Sequence, residues 1–553
     1  MQKNKLYTSI SATLLVSAML SALTACSTQN TNDTNNTSAN TKPVLLKEIA
    51  TADIAMGTPQ AAPYTSRIAP PIMPAPIYSV PNNTENYQDT ETNPVHRTRE
   101  DAISTFSIDT DTGSYANVRR FLNDGTLPPS DAIRYEELIN YFNYGFTNAV
   151  RKNNAPFKVS LETVKAPWKT TNNIIKIAIK STDNISENSK KSNALPPSNL
   201  VFLVDVSGSM NSKDKLDMAK SSLKMLTKQL RKQDTISLIT YAGNTEIVLP
   251  ATNGSEQAKI LSAIDRLNAG GSTNGEAAIK LAYQQAKQNF KKDGINRILM
   301  LTDGDFNVGV SNTDEMLDII KRNRDDGVSL STFGFGTGNY NEYMMEQVAD
   351  NGNGNYSYID SVSEAKKALI DEMSATFNTI AKDVKVQVEF NPATISEWRL
   401  IGYENRILAD EDFNNDKVDA GELGAGKSVV ALFEVTPVGK QGYLNESRYQ
   451  ATNAKTTDMS NELGYLKIRY KAPQGSSSKL LEYPIVNSVT TPSDDLRFAL
   501  AVAGYGQLLK NSKYTGSWTY GDVTNYAKQG YGKDPLGTRH EFVKLVELAD
   551  ALE

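Results

Sequence analysis

Hydrophobic positions alternate with polar ones in Phe157-Val159-Leu161 and Ile175-Ile177-Ile179. After a long interruption the alternation returns in Val384-Val386-Val388-Phe390, near Val429 to Val435, and in Leu466-Ile468-Tyr470. A period of two is that of half-buried antiparallel strands. The interruption has a different pattern. Val201 to Val204 is an unbroken apolar run, and Thr235 to Tyr241, Arg297 to Thr302 and Val328 to Phe335 are further strand-like runs. Between them apolar residues recur every three or four positions, as in Leu216, Ala219, Leu223, Leu226 and Leu230, or Ala278, Leu281, Ala282, Ala286 and Phe290. Unbroken runs make strands buried on both faces and the wider spacing makes amphipathic helices, which predicts an α/β domain with a doubly wound, mostly parallel sheet. The economical arrangement is a β-sandwich built from both flanks with this α/β head inserted into one of its loops. That arrangement puts the functional end of the head far from two stalks.

Helical spacing also marks the ends of the body. Thr105 to Tyr144 predicts a short strand, a helix with Tyr115, Val118 and Leu122 on one face, a Pro-Pro turn and a second helix capped by Ser130 or Asp131. Phe498-Val502-Tyr505-Leu509 and Phe542-Val546-Ala549-Leu552 predict two helices whose apolar faces cover the sandwich. Ala365, Leu369, Met373, Phe377 and Ile380 predict the helix that returns the chain from the head. Ser27 to about Asn93 is rich in Asn, Thr, Ser and Pro, cannot bury enough surface to order itself, and reads as a tether. The alternative is that Ile68, Ile72, Met73 and Ile77 dock on the body as a short extended ligand. The expected division is a signal over 1–26, a tether over 27–100, an N-terminal α/β segment over 101–150, sandwich over 151–195 and 382–490, the inserted domain over 196–381, and a helical region over 491–553.

The chemistry gathers where buried strands stop. Val201 to Val204 stops at Asp205, Ser207 and Ser209, Arg297 to Thr302 stops at Asp303, and the Gly-rich AGGSTNG segment carries Thr273. D-x-S-x-S alone is an ordinary strand-to-helix turn with Ser as N-cap. At the carboxyl ends of strands in an open α/β sheet, where such sheets bind ligands, two carboxylates and three hydroxyls suit Mg²⁺, a hard ion that takes about six oxygens. The set resembles the metal-ion-dependent adhesion site of the von Willebrand factor type A domain. That resemblance implies that Ser207, Ser209 and Thr273 contact the ion, with Asp205 and Asp303 acting directly or through water. It also implies a coordination position left for an acidic residue of a protein partner; Ca²⁺ or Mn²⁺ in place of Mg²⁺ is left open. Through SIDTDTGSYANVRRFLNDG, LTDGDFNVGV and EDFNNDKVDAGELGAG, nearly the whole mature length is similar to the bacterial YfbK-like type A domain lipoproteins. The resemblance supplies no substrate or reaction; with no third acidic or histidine group near these loops to act as a general base, the expectation is a membrane-displayed, divalent-cation-dependent binding protein and not an enzyme. A metal-assisted hydrolase and an envelope scaffold with an idle metal site are the alternatives.

Composition narrows the choice. Across 553 residues, 58 Lys and Arg against 63 Asp and Glu give a net charge of −5, which argues against nucleic acid or anionic lipid head groups as the main target. Two histidines in unrelated contexts, His96 and His540, argue against a histidine-rich zinc site and, with no G-x-S-x-G elbow, against a Ser-His-Asp triad. Gly334-Phe335-Gly336-Thr337-Gly338 lacks the lysine and the spacing of a phosphate loop, so no nucleotide is expected. Asp109, Asp111 and Gly113 begin like a calcium loop without its final glutamate, and Asp410 to Glu422 fits no EF-hand register; they read as a capped turn and a solvated hairpin tip. The chain opens with Lys3, Lys5 and an apolar stretch around Ile10 to Leu23, an export signal. Leu23-Thr24-Ala25-Cys26 looks like a bacterial lipobox, in which Cys26, the single cysteine, is lipidated and becomes the first mature residue. No other segment approaches the roughly 18 apolar residues that cross a membrane. Ser27, rather than Asp, implies the outer membrane of a bacterial envelope.

Overall fold

The computed structural model describes residues 84–108, 111–146, 148–182, 196–272, 275–304, 313–372, 379–445, 461–473 and 475–553. The signal, Cys26 and most of the expected tether lie outside them. Before the head come β1 (His96–Arg97), β2 (Ile103–Ser107), α1 (Gly113–Asn123), α2 (Tyr135–Asn140), β3 (Phe157–Lys165) and β4 (Asn173–Ser181). The head holds β5 (Ser198–Asp205), α3 (Met218–Thr227), β6 (Thr235–Tyr241), β7 (Thr245–Asn253), α4 (Gln257–Asp265), α5 (Gly275–Gln288) and β8 (Ile295–Thr302). It continues with α6 (Thr313–Asp325), β9 (Ser329–Phe335), α7 (Glu342–Asn351), β10 (Tyr356–Ile359) and α8 (Val362–Lys366). After it come β11 (Thr379–Phe390), β12 (Ile395–Ile401), β13 (Leu423–Gly424), β14 (Ser428–Pro437), β15 (Glu462–Lys471), β16 (Ser478–Val486) and β17 (Val489–Thr490). The helices α9 (Asp494–Leu509), α10 (Tyr520–Gln529) and α11 (Thr538–Leu552) end the chain.

The alternating segments build two sheets, β1-β12-β14-β4-β3-β17 and β13-β11-β15-β16, with β2 on the free side of β11. Odd positions of β4 and β14, Ile175, Ile177, Ile179, Val429, Ala431 and Phe433, share a core with Val384, Val386, Val388, Leu466 and Ile468 of the second sheet. Their even positions are buried as well. Ile174, Ala178, Val430 and Leu432 pack under one helical layer to which both ends of the body contribute: Tyr115, Val118 and Leu122 of α1 with Phe498, Val502, Phe542 and Val546 of α9 and α11. One sheet of the sandwich is thus covered on both faces. A buried carboxylate is tolerated only when saturated with donors. Glu434 accepts from Arg399 Nη2 (2.7 Å), Trp168 Nε1 (3.0 Å), Asn172 Nδ2 (2.8 Å) and the Tyr443 hydroxyl (2.8 Å), while Arg399 also donates to Gln507 of α9.

The head sheet runs β10-β9-β8-β5-β6-β7, parallel throughout except for β7, which pairs antiparallel with β6 at the edge. Leu200, Phe202 and Val204 face α3 and α4; Val201 and Leu203 face α5, α6 and α7. Burial on both sides is why this strand shows no alternation. Because β4 and β14 pair along their length across the intervening head, the head is an insertion in the sandwich.

Several expected features differ. Ser130 turns its hydroxyl to Asp131 (3.0 Å) and caps no helix: Ser130–Ala132 is a single 3₁₀ turn, and α2 starts at Tyr135. Ile380 belongs to β11, and α8 gives way to a π turn at Lys367–Asp371; Met373 and Phe377 lie outside the described residues. Asp410 to Glu422 is mostly solvent-exposed, as expected, but it is no hairpin tip: it joins β12 and β13, which lie in different sheets, and it is held where Lys385 Nζ donates to the carbonyls of Asp412 (3.0 Å) and Asn415 (2.5 Å) and Asp416 pairs with Arg469 (3.0 Å). Asp111, expected in a capped turn, accepts from the Tyr356 amide (2.9 Å); Asp109 lies outside the described residues. Residues 84–100, expected in the tether, make fixed contacts: Asn93 Nδ2 donates to Gly402 O (2.7 Å), and β1 pairs with β12.

The head does not stand on two stalks. Arg119 of α1 pairs with Asp360 (2.6 Å) and Glu364 (2.7 Å), Arg134 with Glu342 (3.1 Å) and Glu346 (3.2 Å), and Arg406 with Asp350 (2.5 Å). Ala116 packs among Tyr340, Met345, Ala349, Tyr356 and Tyr358 in the same interface. The β10 edge of the head is therefore fastened to the body by charge and by apolar contact.

Candidate metal centre

Asp205 ends β5 and is fully buried. Its Oδ1 accepts from the Ser207 amide (2.8 Å), a turn in which an aspartate bonds the backbone two residues on, and its Oδ2 accepts from the Thr302 hydroxyl (2.8 Å). This turn brings the Ser207 and Ser209 hydroxyls to 2.9 Å from each other, Ser207 buried and Ser209 half-buried. The second loop is knitted to the first, since Gly270 N donates to Val206 O (2.7 Å) and Gly208 N to Gly271 O (3.0 Å). Thr273, expected to supply a third hydroxyl from that loop, lies outside the described residues. Asp303 follows β8 and is also fully buried; its Oδ2 accepts from Lys215 Nζ and Asn339 Nδ2, each at 3.1 Å. Lys215 Nζ in turn donates to Asn339 Oδ1 at 2.7 Å. At Gly304 the backbone has φ +83°, and a Cβ would press on Asn341 N, so a glycine is needed where this loop lies against the Asn339 loop.

Three parallel strands, β5, β8 and β9, thus deliver their following loops to one edge. Burial pushes the Asp205 carboxyl up to about 6; the Ser207 and Thr302 hydrogen bonds oppose that shift and the charge of Asp303 adds to it. A cation relieves such a pair of buried carboxylates. The donor chemistry fits a hard divalent ion, because the carboxylates of Asp205 and Asp303 and the hydroxyls of Ser207 and Ser209 are all oxygen donors. Among the described residues no group of three or more His, Cys, Asp and Glu converges, so an ion here depends on the hydroxyls and not on a cage of carboxylates.

Lys215, Asn339 and Thr302 were not apparent as parts of the centre from the sequence. Thr302 is the residue before Asp303, and its strand position is the one signal that could have found it. Lys215 stands among other lysines at the start of a helical pattern, and nothing in its spacing sets it apart. Cys26 lies outside the described residues. No described helix is long and apolar enough to cross a membrane.

Residues 200–305, which contain all five expected ligands, match the von Willebrand factor type A domain; residues 81–176 match a family described as von Willebrand factor. Residues 375–552 match the family described as uncharacterized protein YfbK, C-terminal. Uncharacterized protein sll0103 of Synechocystis is 26% identical over 324 residues, 56% of this chain and 72% of that protein. A solved von Willebrand factor type A structure from Catenulispora acidiphila covers 72% of this chain and 91% of its own at 16% identity, with a TM-score of 0.40. Uncharacterized protein YfbK of Escherichia coli K12 is 48% identical over 470 residues, 85% of this chain and 82% of that protein, so the chain belongs to the YfbK-like family of von Willebrand factor type A domain proteins.

Proposed function

We propose that this chain is a non-enzymatic, divalent-cation-dependent protein-binding module, held at a bacterial envelope by a lipid on Cys26. Type A domains often serve protein interactions and adhesion and commonly bind a divalent metal. The observation that carries the reading is the meeting of the Ser207 and Ser209 hydroxyls, 2.9 Å apart, in the turn that follows the buried carboxylate of Asp205, on the edge to which Asp303 is also delivered. In this reading Asp205, Ser207, Ser209, Thr273 and Asp303 hold Mg²⁺, with Ca²⁺ or Mn²⁺ as substitutes, and an acidic side chain of the partner completes the shell. The ion supplies positive charge to that carboxylate. Asp205 and Asp303 would hold it from fully buried positions, and of the two serines Ser209 is the more exposed. The anchor and the outer-membrane placement rest on Leu23-Thr24-Ala25-Cys26 and on Ser27.

The test is affinity capture from envelope extracts of the source cells with the full chain, in Mg²⁺ and in EDTA, for wild type and Asp205→Ala. A partner held by wild type in Mg²⁺ and lost in EDTA and in the variant is the expected outcome. Free Mg²⁺ a hundredfold above its Kd should also stabilise wild type by about 2.7 kcal/mol. Wild type that shows no metal-dependent unfolding shift and captures its partner equally in EDTA refutes the reading. The second reading, a scaffold with an idle centre, is favoured by the Lys215 ion pair on Asp303 and predicts that same EDTA-insensitive capture. A metal-assisted hydrolase would reveal itself by Mg²⁺-dependent turnover of generic phosphoester or peptide substrates, abolished by Asp303→Ala.

A further inference from the structure

We propose that Lys215 is a tethered cation that competes with the divalent ion for Asp303 and so sets the affinity of the centre. The inference rests on the cation reading above and adds a residue and a direction to it. Lys215 lies in a π turn, Lys213–Asp217, ahead of α3, where the widened helical turn re-aims side chains. Lys213 and Asp214 beside it are exposed, whereas Lys215 is 7% exposed. Its ammonium closes a triangle with Asp303 Oδ2 (3.1 Å) and Asn339 Oδ1 (2.7 Å), and Asn339 Nδ2 donates to the same Asp303 oxygen (3.1 Å). The aliphatic stem reaches that position by crossing Gly336, where φ is +75° and a Cβ would run into Cγ, Cδ and Cε of the lysine. Gly334 to Gly338, which has no phosphate-loop spacing, thereby acquires a role: its glycine at 336 leaves the passage through which the lysine reaches the carboxylate.

Burying a lysine costs desolvation and most of its side-chain freedom, so a lysine threaded past a glycine onto one carboxylate is a built contact. Its charge offsets Asp303 before any ion arrives. A divalent cation that takes the same oxygen meets a like charge a few ångströms away, and the two repel strongly at the low effective dielectric of a buried site. Metal uptake therefore entails displacement of the ammonium from Asp303.

The experiment titrates the EDTA-stripped full chain with MgCl₂, and separately with MnCl₂, by calorimetry. Wild type is compared with Lys215→Met, Lys215→Gln, Lys215→Arg and Asn339→Ala, the fold of each checked by near-UV circular dichroism. Lys215→Met and Lys215→Gln should bind roughly tenfold tighter or better, whereas Lys215→Arg, which keeps the charge, should not. Asn339→Ala removes the second partner of the lysine and should tighten binding to a smaller degree; it decides the matter if the Lys215 variants do not fold. Wild type that binds while the neutral variants bind equally or more weakly overturns the role of Lys215 and leaves the cation site standing. No heat of binding from any of the five proteins removes the cation site itself, and this inference with it.

Discussion

Arg119→Met tests whether charge fastens the head to the body. Arg119 is 5% exposed, and its guanidinium reaches Asp360 through Nε (2.6 Å) and Nη2 (2.7 Å), Glu364 through Nη2 (2.7 Å), and the Tyr141 hydroxyl through Nη1 (3.0 Å). Methionine keeps much of the stem but leaves Asp360 and Glu364, with side chains 7% and 1% exposed, without their guanidinium. Lys367 stays 3.6 Å from Glu364, so Asp360 bears most of the loss. Removing one partner of a buried ion pair costs about 3–5 kcal/mol because the other charge stays buried and uncompensated. Opening the interface rehydrates that charge, so the cost falls on the opening equilibrium. At about 1.4 kcal/mol per factor of ten, opening should rise by roughly a hundredfold to a few thousandfold. Four amides that cross the interface report it: Tyr356 to Asp111 (2.9 Å), Gly338 to Glu85 (2.9 Å), Asn86 to the Tyr340 carbonyl (2.8 Å) and Glu342 to the Asn86 carbonyl (3.0 Å). Hydrogen exchange followed by mass spectrometry should show these amides accelerated by that factor while those within α5 keep their rates. Adding Asp360→Asn and Glu364→Gln to Arg119→Met should restore most of the protection. If Arg119→Met changes exchange less than about threefold, the apolar contacts around Ala116 hold the interface and the charge argument fails.

Glu372 lies between Lys427 (2.7 Å) and Lys367 (3.1 Å); burial would raise its pKa, but the two ammoniums overcome this and hold it at about 2. A folded-state value below the ordinary one gives stability that is fully present above about pH 4.5 and lost as pH falls through about 2, at most about 3 kcal/mol for this shift. The difference in denaturation midpoint between wild type and Glu372→Gln should therefore be large at pH 7 and vanish toward pH 2; a constant difference refutes the assignment. Gly336→Ala should lower stability by about 1–3 kcal/mol, since the methyl meets both a left-handed backbone and the Lys215 stem, and thermal unfolding within experimental error of wild type would contradict the threaded lysine. Cys26→Ala should abolish metabolic fatty-acid labelling of the protein, and a labelled variant would dispose of the lipobox.

The head was legible because its strands are buried on both faces and its helices on one, so that unbroken runs and spacings of three and four mark them directly. Its edges were not. β7 carries Pro250 and mixed exposure, and β10 has only four residues, too few for a pattern to stand out. The sandwich strands announced themselves by alternate positions alone; the burial of the other face of β4 and β14 depends on helices far away in sequence, and no local period encodes that cover. In the candidate centre, Asp205, Ser207, Ser209 and Asp303 could be found because each interrupts or follows an apolar run. Lys215 and Asn339 are 124 positions apart, and neither lies in a segment whose pattern distinguishes it. Burial and partners alone reveal such a pair. The ion pairs of Arg119, Arg134 and Arg406 were invisible for the same reason, which is why the sequence suggested a head on stalks.

The splice of the head into the sandwich also sets a timetable. β4 is complete at Ser181, yet β14, which pairs with it from Asn173 to Lys180, begins at Ser428. Made at about 5–20 residues per second from its N-terminus, the chain supplies Ile175, Ile177 and Ile179 roughly 12 to 50 seconds before that neighbour exists. A head that folds meanwhile turns a long flexible loop into a rigid insert and lowers the entropy lost when the two halves of the sheet meet. Nascent chains arrested before Ser428 should accordingly carry a protease-resistant head and a protease-sensitive β3–β4 pair. The type A domain is then complete before the base that holds it, and the stretch in most need of a chaperone is the hairpin made first.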